Sequence, residues 1–134
     1  MIFVDTSFLL AFTDKKDIHH YKAAGLFDEA LRSGDGLILH NYVVVESIAL
    51  FDRRLGREAA KDLIDTIKRF TTHWITTEEH IAAEEEFSKQ KSKKVSFVDT
   101  VSFIFMRSRG IKQFLAFDSD FDKEGFKMFG WKIH

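Results

Sequence analysis

Short apolar runs alternate with longer amphipathic segments along the whole chain. The first run, Ile2-Phe3-Val4, is β-branched and aromatic and stops at Asp5, which predicts a buried strand that leads into a helix. Leu37-Ile38-Leu39 and residues 111–117 have the same character. Strands that alternate with helices pair in parallel and are covered by those helices on both faces. The sequence therefore predicts an α/β fold around a parallel sheet.

Helical periodicity and turn residues predict the other elements. Helices are expected over residues 17–32, 42–55, 57–71 and 97–108, with a further helix that begins after a cap at Thr77. Weaker strands are expected at Trp74-Ile75 and, as a final edge strand, at Trp131-Lys132-Ile133. No internal repeat or linker divides the 134 residues, so we expect one domain that spans residues 1–134.

Composition excludes several classes of protein. The absence of cysteine excludes a disulfide scaffold, thiolate metal sites and cysteine nucleophiles. The longest apolar run is only five residues, which is too short to cross a bilayer, and no basic leader precedes the first strand. A net charge of -1 argues against a uniformly basic surface for nucleic acid. We expect a soluble, cytoplasmic protein without a membrane partner.

Carboxylates stand at positions where apolar residues would be expected or where strands end. Asp5 follows the first strand, Asp118 follows the fourth, and Asp120 comes two residues later. Glu46 and Asp99 interrupt helices that are otherwise apolar. In open α/β sheets, ligands bind outside the carboxyl ends of the strands. If the first and fourth strands are neighbours, these acids meet at that edge.

Each acid also has a purely structural interpretation. Asp5 is a suitable helix cap, Asp99 suits a first helical turn capped by Ser96, and Asp118 suits a turn. Glu46 lies a full turn inside its helix, where a solvated stripe is the structural alternative. Taken together, however, such acids repel one another by roughly 4 kcal/mol per pair at about 4 Å. Protonation or a divalent cation relieves that repulsion, and all-oxygen ligands favour Mg²⁺ or Mn²⁺ over zinc.

Four segments in this order resemble a PIN-domain nuclease, and more narrowly the toxin ribonucleases of VapC type. Their acids are separated by 41, 53 and 19 residues, and the resemblance covers nearly the whole chain. The segments are Ile2-Phe3-Val4-Asp5-Thr6-Ser7, the helix with its lone Glu46, Phe97-Val98-Asp99-Thr100-Val101-Ser102-Phe103-Ile104-Phe105-Met106, and Phe114-Leu115-Ala116-Phe117-Asp118-Ser119-Asp120-Phe121.

The resemblance implies a three-layer α/β/α sandwich with a central parallel sheet of four to five strands. It also implies hydrolysis of RNA phosphodiester bonds that depends on Mg²⁺ or Mn²⁺. Asp5 and Asp99 are expected to bind the metal directly, while Glu46 and Asp118 complete the shell or act through water. Asp120 is a reserve ligand, expected outside the inner shell. The implied partners are an RNA substrate, an antitoxin protein and a second copy of the chain.

One position departs from the pattern of the family. Thr or Ser often stands two residues before the last acid, where this chain has Ala116. Such a hydroxyl would orient the groups around the metal. Thr6, Ser7 or Ser119 is therefore expected to substitute for it.

Two other functions remain open at this point. One alternative to the nuclease is a catalytically inactive PIN-like module that binds RNA or protein. The other is a phosphoacceptor signalling domain, although that domain requires an adjacent acid pair and a late lysine that fit poorly here. A basic run before Asp99 is either a track for RNA phosphates or a solvated helix end. That run consists of Lys89, Lys91, Lys93 and Lys94, and Arg53, Arg54 and Arg57 allow the same two interpretations.

Overall fold

Five strands of the computed structural model, which describes residues 1–130, form one parallel sheet. In chain order they are β1 (Ile2–Val4), β2 (Leu37–His40), β3 (Thr71–His73), β4 (Gln113–Leu115) and β5 (Lys127–Met128). Their spatial order is β3-β2-β1-β4-β5, so β1 lies at the centre. Ile2 is in register with Leu37 on one side and with Gln113 on the other. The predicted parallel sheet of four to five strands is confirmed.

Seven helices connect these strands within the described residues. They are α1 (Thr6–Thr13), α2 (His20–Ser33), α3 (Asn41–Leu55), α4 (Arg57–Ile67), α5 (Thr77–Lys89), α6 (Phe97–Arg109) and α7 (Asp120–Lys123). The connections from β1 to β2 to β3 run toward one edge, and the return to β4 and β5 runs toward the other. Because parallel crossovers are right-handed, α1–α4 and α5–α7 cover opposite faces. The three-layer α/β/α sandwich is confirmed.

Phenylalanine side chains fill the core between the sheet and the layer formed by α5–α7. All three residues of β1 are fully buried, as expected for a central strand with helices on both faces. The ring of Phe121 lies 5.9 Å from that of Phe3 and 4.9 Å from that of Phe114. Phe103 contacts Phe121 edge to face at 5.1 Å. No helix within residues 1–130 is long and apolar enough to cross a membrane.

The third strand is three residues earlier than predicted. The helix expected over residues 57–71 ends at Ile67, and Thr71–His73 pairs with β2. The predicted strand at Trp74-Ile75 is therefore wrong. Trp74 is 73% exposed, and the Ile75 N–H donates to the Asn41 side chain instead of to a strand. The apolar pair misled the prediction because pairing with β2, and not hydrophobicity, determines where this edge strand lies.

Smaller boundary errors have local causes. The helix expected to be capped at Thr77 is capped at Thr76, whose hydroxyl and the Glu79 carboxylate form a reciprocal capping box. The strand predicted over residues 111–117 shortens to Gln113–Leu115, and the helix predicted from residue 17 begins at His20. The edge strand of the described chain is Lys127–Met128, and the predicted strand Trp131-Lys132-Ile133 lies outside the described residues.

The direction in which successive strands are added to the sheet reverses between β1 and β4. Chain connections run from β1 toward β3 on one side and from β4 toward β5 on the other. The Asp5 N–H donates to the Leu115 carbonyl oxygen at 3.0 Å, so these two strands remain paired to their carboxyl ends. A cleft at such a reversal is the usual ligand site of open α/β sheets. The chain segments that carry Asp5 and Asp118 both begin there.

Candidate metal centre

Asp5 caps α1 and is also buried at the carboxyl end of β1. Its Oδ2 atom accepts hydrogen bonds from the Ser7 N–H at 3.1 Å and the Ser7 hydroxyl at 2.8 Å. Only 4% of the residue is exposed. Burial, reinforced by the negative charge of Asp99, raises the pKa of Asp5 to about 7. The structural interpretation of Asp5 as a cap is correct, but a helix cap alone does not require a buried carboxylate beside another acid.

Ser7 connects the ends of β1 and β4. Besides its bond to Asp5, the Ser7 Oγ accepts a hydrogen bond from the Phe117 N–H at 3.0 Å. Ala116, where the family often has a hydroxyl, is buried and has none to offer. Of the three expected substitutes, Ser7 is the one whose hydroxyl contacts both an acid and the segment before Asp118.

Asp99 lies in the first turn of α6 and forms a capping box with Ser96. The Ser96 Oγ accepts from the Asp99 N–H at 3.0 Å, and the Asp99 Oδ2 accepts from the Ser96 N–H at 3.1 Å. Burial is the main cause that raises the pKa of Asp99 to about 6, and the charges of Asp118 and Glu46 raise it further. The capping interpretation is again correct, and again it leaves the proximity of other acids unexplained.

Asp118 and Asp120 lie beside Asp99. Each of the three residues offers a carboxylate oxygen, and these three oxygens lie within 4.8 Å of one another. The Asp120 N–H donates to the Asp118 Oδ1 at 2.8 Å, which turns the chain so that both side chains point to one place. Burial and the adjacent Asp118 raise the pKa of Asp120. Asp120, expected outside the inner shell, is therefore grouped with two of the principal acids.

Glu46 reaches the same region from α3. It is half-buried, and its charge raises the pKa values of both Asp5 and Asp99. The neighbouring Ser47 donates from its hydroxyl to the Thr6 Oγ1 at 3.0 Å, and both residues are buried. This bond holds α3 against the end of β1. The structure thus brings all five predicted acids to one edge of the sheet.

The donor set fits a hard divalent cation. Within residues 1–130, the Oδ1 atoms of Asp5 and Asp99 accept no hydrogen bond, because each local bond is made through Oδ2. Oxygens that share one Mg²⁺ lie at most about 4.2 Å apart, since each bond measures about 2.1 Å. The observed spread of 4.8 Å requires only small side-chain rotations. A bound cation would also relieve the repulsion that raises the carboxyl pKa values.

Two lysines flank the acids without neutralising them. The Lys123 Nζ lies 4.0 Å from the Asp120 Oδ1, at the limit of an ion pair, and Lys123 is exposed. Lys94, the last residue of the predicted basic run, is exposed, and its charge lowers the pKa of Asp120. The basic run therefore reaches the candidate site at Lys94.

The nearby histidine is not arranged as a ligand. His40 is fully buried at the end of β2, and burial lowers its pKa to about 3, so the ring is neutral. Its Nδ1 accepts from the Val43 N–H at 3.4 Å, which leaves the Nε2 proton to donate to the Ser102 Oγ at 2.8 Å. Both ring nitrogens of His40 are therefore occupied by hydrogen bonds within the protein.

Comparison with known proteins identifies the family to which this fold belongs. The model of the PIN domain family matches residues 2–127. The chain belongs to the PIN domain family. It is 34% identical over 132 residues to the 23S rRNA-specific endonuclease VapC20 of Mycobacterium tuberculosis, in strains CDC 1551 and H37Rv, with 94% of this chain and 95% of the relative covered.

A solved structure supports the same assignment. The crystal structure of Mycobacterium tuberculosis VapC20, described as a toxin that cleaves the sarcin-ricin loop, superimposes with a TM-score of 0.84. The match covers 94% of this chain and 96% of the other, at 32% identity. Membership of the PIN family confirms the predicted resemblance and leaves no support for a phosphoacceptor domain.

Proposed function

We propose that this chain is an endoribonuclease of VapC type, formed by one PIN domain over residues 1–134. The observation that carries the proposal is the convergence of five acids at the carboxyl ends of β1 and β4, where the strand order changes direction. These acids are Asp5, Glu46, Asp99, Asp118 and Asp120. Buried acids that repel one another destabilise a fold, so an arrangement of this kind is expected only where a ligand compensates the cost.

The proposed ligand is Mg²⁺ or Mn²⁺, held by Asp99, Asp118 and Asp120 together with Asp5. Such a cation supplies charge neutralisation at the phosphate and a lowered pKa for coordinated water. Ser7 and Ser96 orient Asp5 and Asp99 so that one oxygen of each carboxylate faces the site. This inner set includes Asp120, whose position beside Asp118 supports a closer role than the sequence indicated.

Glu46 is proposed to act at the margin of the set. It is half-buried, and it lies on a helix held to the strand end by the bond between Ser47 and Thr6. A carboxylate in that position suits a bond to a water molecule, whose proton it receives or orients. Lys94 and Lys123, both exposed beside Asp120, suit contacts to RNA phosphates on either side of the cleaved bond.

The sarcin-ricin loop of 23S rRNA is the first substrate to examine. The VapC20 relative is described as cleaving that loop, and similarity over nearly the full length of both chains supports a related RNA for this one. A ribosomal substrate would place the activity in the cytoplasm, as the sequence predicts.

The antitoxin partner and the homodimer remain proposals of the family resemblance. An apolar cleft of about 270 Å³ opens between α3, α4 and the end of β3. Trp74 beside it is 73% exposed and Val45 is 66% exposed, and exposed apolar surface of this kind suits a protein partner. Sedimentation of the purified chain at several concentrations tests for the dimer.

Cleavage of a sarcin-ricin hairpin tests the proposed function. The hairpin is incubated with the unmodified chain in Mg²⁺ and in EDTA, and with the Asp99→Asn variant in Mg²⁺. Asp62→Asn, on the exposed side of α4, is the matched control. We expect cleavage only by the unmodified chain and the control in Mg²⁺. The loss in Asp99→Asn should be about 100-fold or more, because even groups behind a metal ligand contribute about 10–100-fold. Equal cleavage in every arm would refute the proposal.

A catalytically inactive binding module is the second candidate. It predicts that RNA binding persists without cleavage under all metal conditions. Measuring binding and cleavage of the same hairpin separates the two functions. The presence of all five acids favours the enzyme, since a module that only binds RNA gains nothing from repelling phosphates with carboxylates.

A further inference from the structure

Four aromatic rings form a column that runs from the core to the surface beside the acids. In order they are Phe12, Phe8, Phe117 and His19, and they are called here the ring column. Successive ring centroids lie 6.3, 5.9 and 4.5 Å apart, with interplanar angles of 9°, 11° and 3°. Phe8 is fully buried, Phe117 is half-buried and His19 is exposed. The column therefore ends in a flat ring that faces solvent.

The outer end of the column is held in place. The His19 N–H donates to the Asp17 Oδ1 at 2.8 Å, and the Asp17 N–H donates to the Asp14 carbonyl oxygen at 3.0 Å. The His19 carbonyl oxygen accepts from the Ala23 N–H at 2.9 Å, which fixes the start of α2. Among residues 1–130, Phe117 is the one ring that stacks on His19. Because His19 is exposed, a ligand can reach its imidazole from solvent.

The column also adjoins the candidate metal centre. Phe117 directly precedes Asp118, and its N–H is bonded to the same Ser7 hydroxyl that donates to Asp5. A group stacked on His19 therefore lies one ring away from the backbone that carries the acids. A second stacked pair, Tyr42 and Phe97, lies two residues before Asp99, but both of its rings are half-buried.

The surface around His19 combines cations with exposed apolar side chains. Lys15, Lys16 and Lys22 are exposed on the loop and the first turn of α2. Ile18 is 91% exposed and Tyr21 is 87% exposed. Flat rings flanked by lysines are the usual surface for single-stranded RNA, because bases stack and phosphates are neutralised. Asp14 and Asp17 in the same loop offset part of this charge, and the remaining positive charge favours RNA over an uncharged protein surface.

We infer that His19 stacks on a nucleobase of the RNA next to the cleaved phosphate, with the ring column as its rigid support. The inference rests on the proposed ribonuclease function and adds a substrate-binding residue outside the acids. Lys15 and Lys16 contact the neighbouring phosphates. Stacking tolerates every base, so His19 supplies affinity and register, not sequence recognition.

Two substitutions separate the flat ring from its polarity. His19→Phe keeps a ring that can stack, whereas His19→Gln keeps a polar group and removes the ring. Affinity is measured by fluorescence anisotropy in EDTA with a fluorescein-labelled sarcin-ricin hairpin and with versions that carry one abasic nucleotide at each loop position. Ile81→Ala, at a half-exposed site on α5, is the control.

The expected pattern is a double-mutant cycle. His19→Gln should weaken binding of the intact hairpin about tenfold, a value within the range for loss of one stacked base, while His19→Phe and Ile81→Ala stay within about threefold. One abasic position should weaken binding by the unmodified chain by a similar factor and have no further effect on His19→Gln. His19→Gln should also raise KM for cleavage of the intact hairpin and leave kcat nearly unchanged.

Failure of this inference is distinct from failure of the proposed function. If the chain cleaves RNA but His19→Gln binds and cleaves normally, the stacking role is wrong and the nuclease stands. If RNA binds in a ring-dependent manner without cleavage, the stacking role stands and the nuclease is wrong. A change in oligomeric state of His19→Gln on sedimentation, with RNA affinity unaltered, would assign this surface to a protein contact and overturn the inference.

Discussion

The hydroxyl of Ser7 accepts a hydrogen bond at 3.0 Å from the backbone of Phe117, a residue 110 positions later in the chain. The same hydroxyl donates to the Asp5 carboxylate at 2.8 Å. One side chain thus determines both where the Asp5 carboxylate points and how closely the segment that carries Asp118 approaches it. The arrangement of the acids depends on this small polar contact as much as on the sheet.

Substitution of Ser7 should therefore affect both stability and activity. In Ser7→Ala, the half-buried Phe117 N–H loses its acceptor and Asp5 loses one donor. We expect the free energy of unfolding to fall by about 1–3 kcal/mol and kcat for RNA cleavage to fall more than KM rises. Urea denaturation and steady-state cleavage measure the two effects.

Ser88→Ala provides the matched control for that experiment. The Ser88 hydroxyl donates to the Glu84 carbonyl oxygen on the exposed face of α5 and bonds none of the acids. We expect stability and cleavage close to those of the unmodified chain. A Ser7→Ala protein that retains full kcat would show that the hydroxyl is dispensable for catalysis.

In the metal-free protein, the contribution of Asp5 to stability should fall as the pH rises from about 4 to about 7. Burial and Asp99 raise the pKa of Asp5 to about 7 in the folded state, while the unfolded residue ionises near 4. Between these values the folded chain holds the extra proton, so stability falls with increasing pH. The loss is of the order of a few kcal/mol.

Asp5→Asn isolates this contribution. Asparagine remains a good helix cap, so the fold is kept while the ionisable group is removed. Thermal unfolding in EDTA should show a shallower decline between pH 4 and 7 for the variant than for the unmodified chain. Adding Mg²⁺ or Mn²⁺ should stabilise only the unmodified chain appreciably. Parallel pH profiles for the two proteins would contradict the raised pKa of Asp5.

His40 should make the opposite contribution over an overlapping range, from about pH 3 to about pH 6.5. Burial lowers its pKa to about 3 in the folded state, against about 6.5 in the unfolded chain. As the pH falls through this range, His40 takes up a proton in the unfolded state but not in the folded state. The free energy of unfolding therefore decreases. His40→Asn keeps a cap for α3 and should reduce this acid sensitivity, although the smaller side chain lowers stability at neutral pH. Chemical denaturation at pH 7 and pH 4.5 measures both effects.

Lys94 is expected to contribute to RNA affinity and not to chemistry. It is exposed, and its charge reaches Asp120. Lys94→Ala should raise KM for every RNA by a similar factor and reduce the slope of log affinity against log salt by about 1. Lys112→Ala is the control, since that exposed lysine precedes β4 at the opposite edge of the sheet. Equal effects of both substitutions would indicate non-specific charge attraction alone.

The edge of the sheet that carries the candidate site was predictable because the end of a buried strand can be recognised in a sequence. A buried run such as Ile2-Phe3-Val4 that stops at Asp5 indicates both the strand and the edge at which it ends. Errors arose where pairing, not composition, decides the element. Thr71–His73 is a polar edge strand, and what makes it a strand is its parallel pairing with β2.

The contributions of Ser7 and Asp120 were harder to read. A serine after a helix-capping aspartate is common, and nothing local indicates that its hydroxyl will meet the backbone of Phe117. Asp120 was expected only as a reserve ligand outside the inner shell. The bond from its N–H to the Asp118 carboxylate accompanies a bend of the chain, and the Asp120 carboxylate lies beside those of Asp118 and Asp99.

The amino-acid sequence alone determined the alternation of strands and helices, the family and the identity of the acids, because periodicity, caps and charge placement are local properties. Only the tertiary structure decided which acids touch, how far burial raises their pKa values, and that a ring column ends in His19 beside them. Those properties depend on distances between residues remote in the chain, and such distances exist only once the sheet has brought β1 and β4 together.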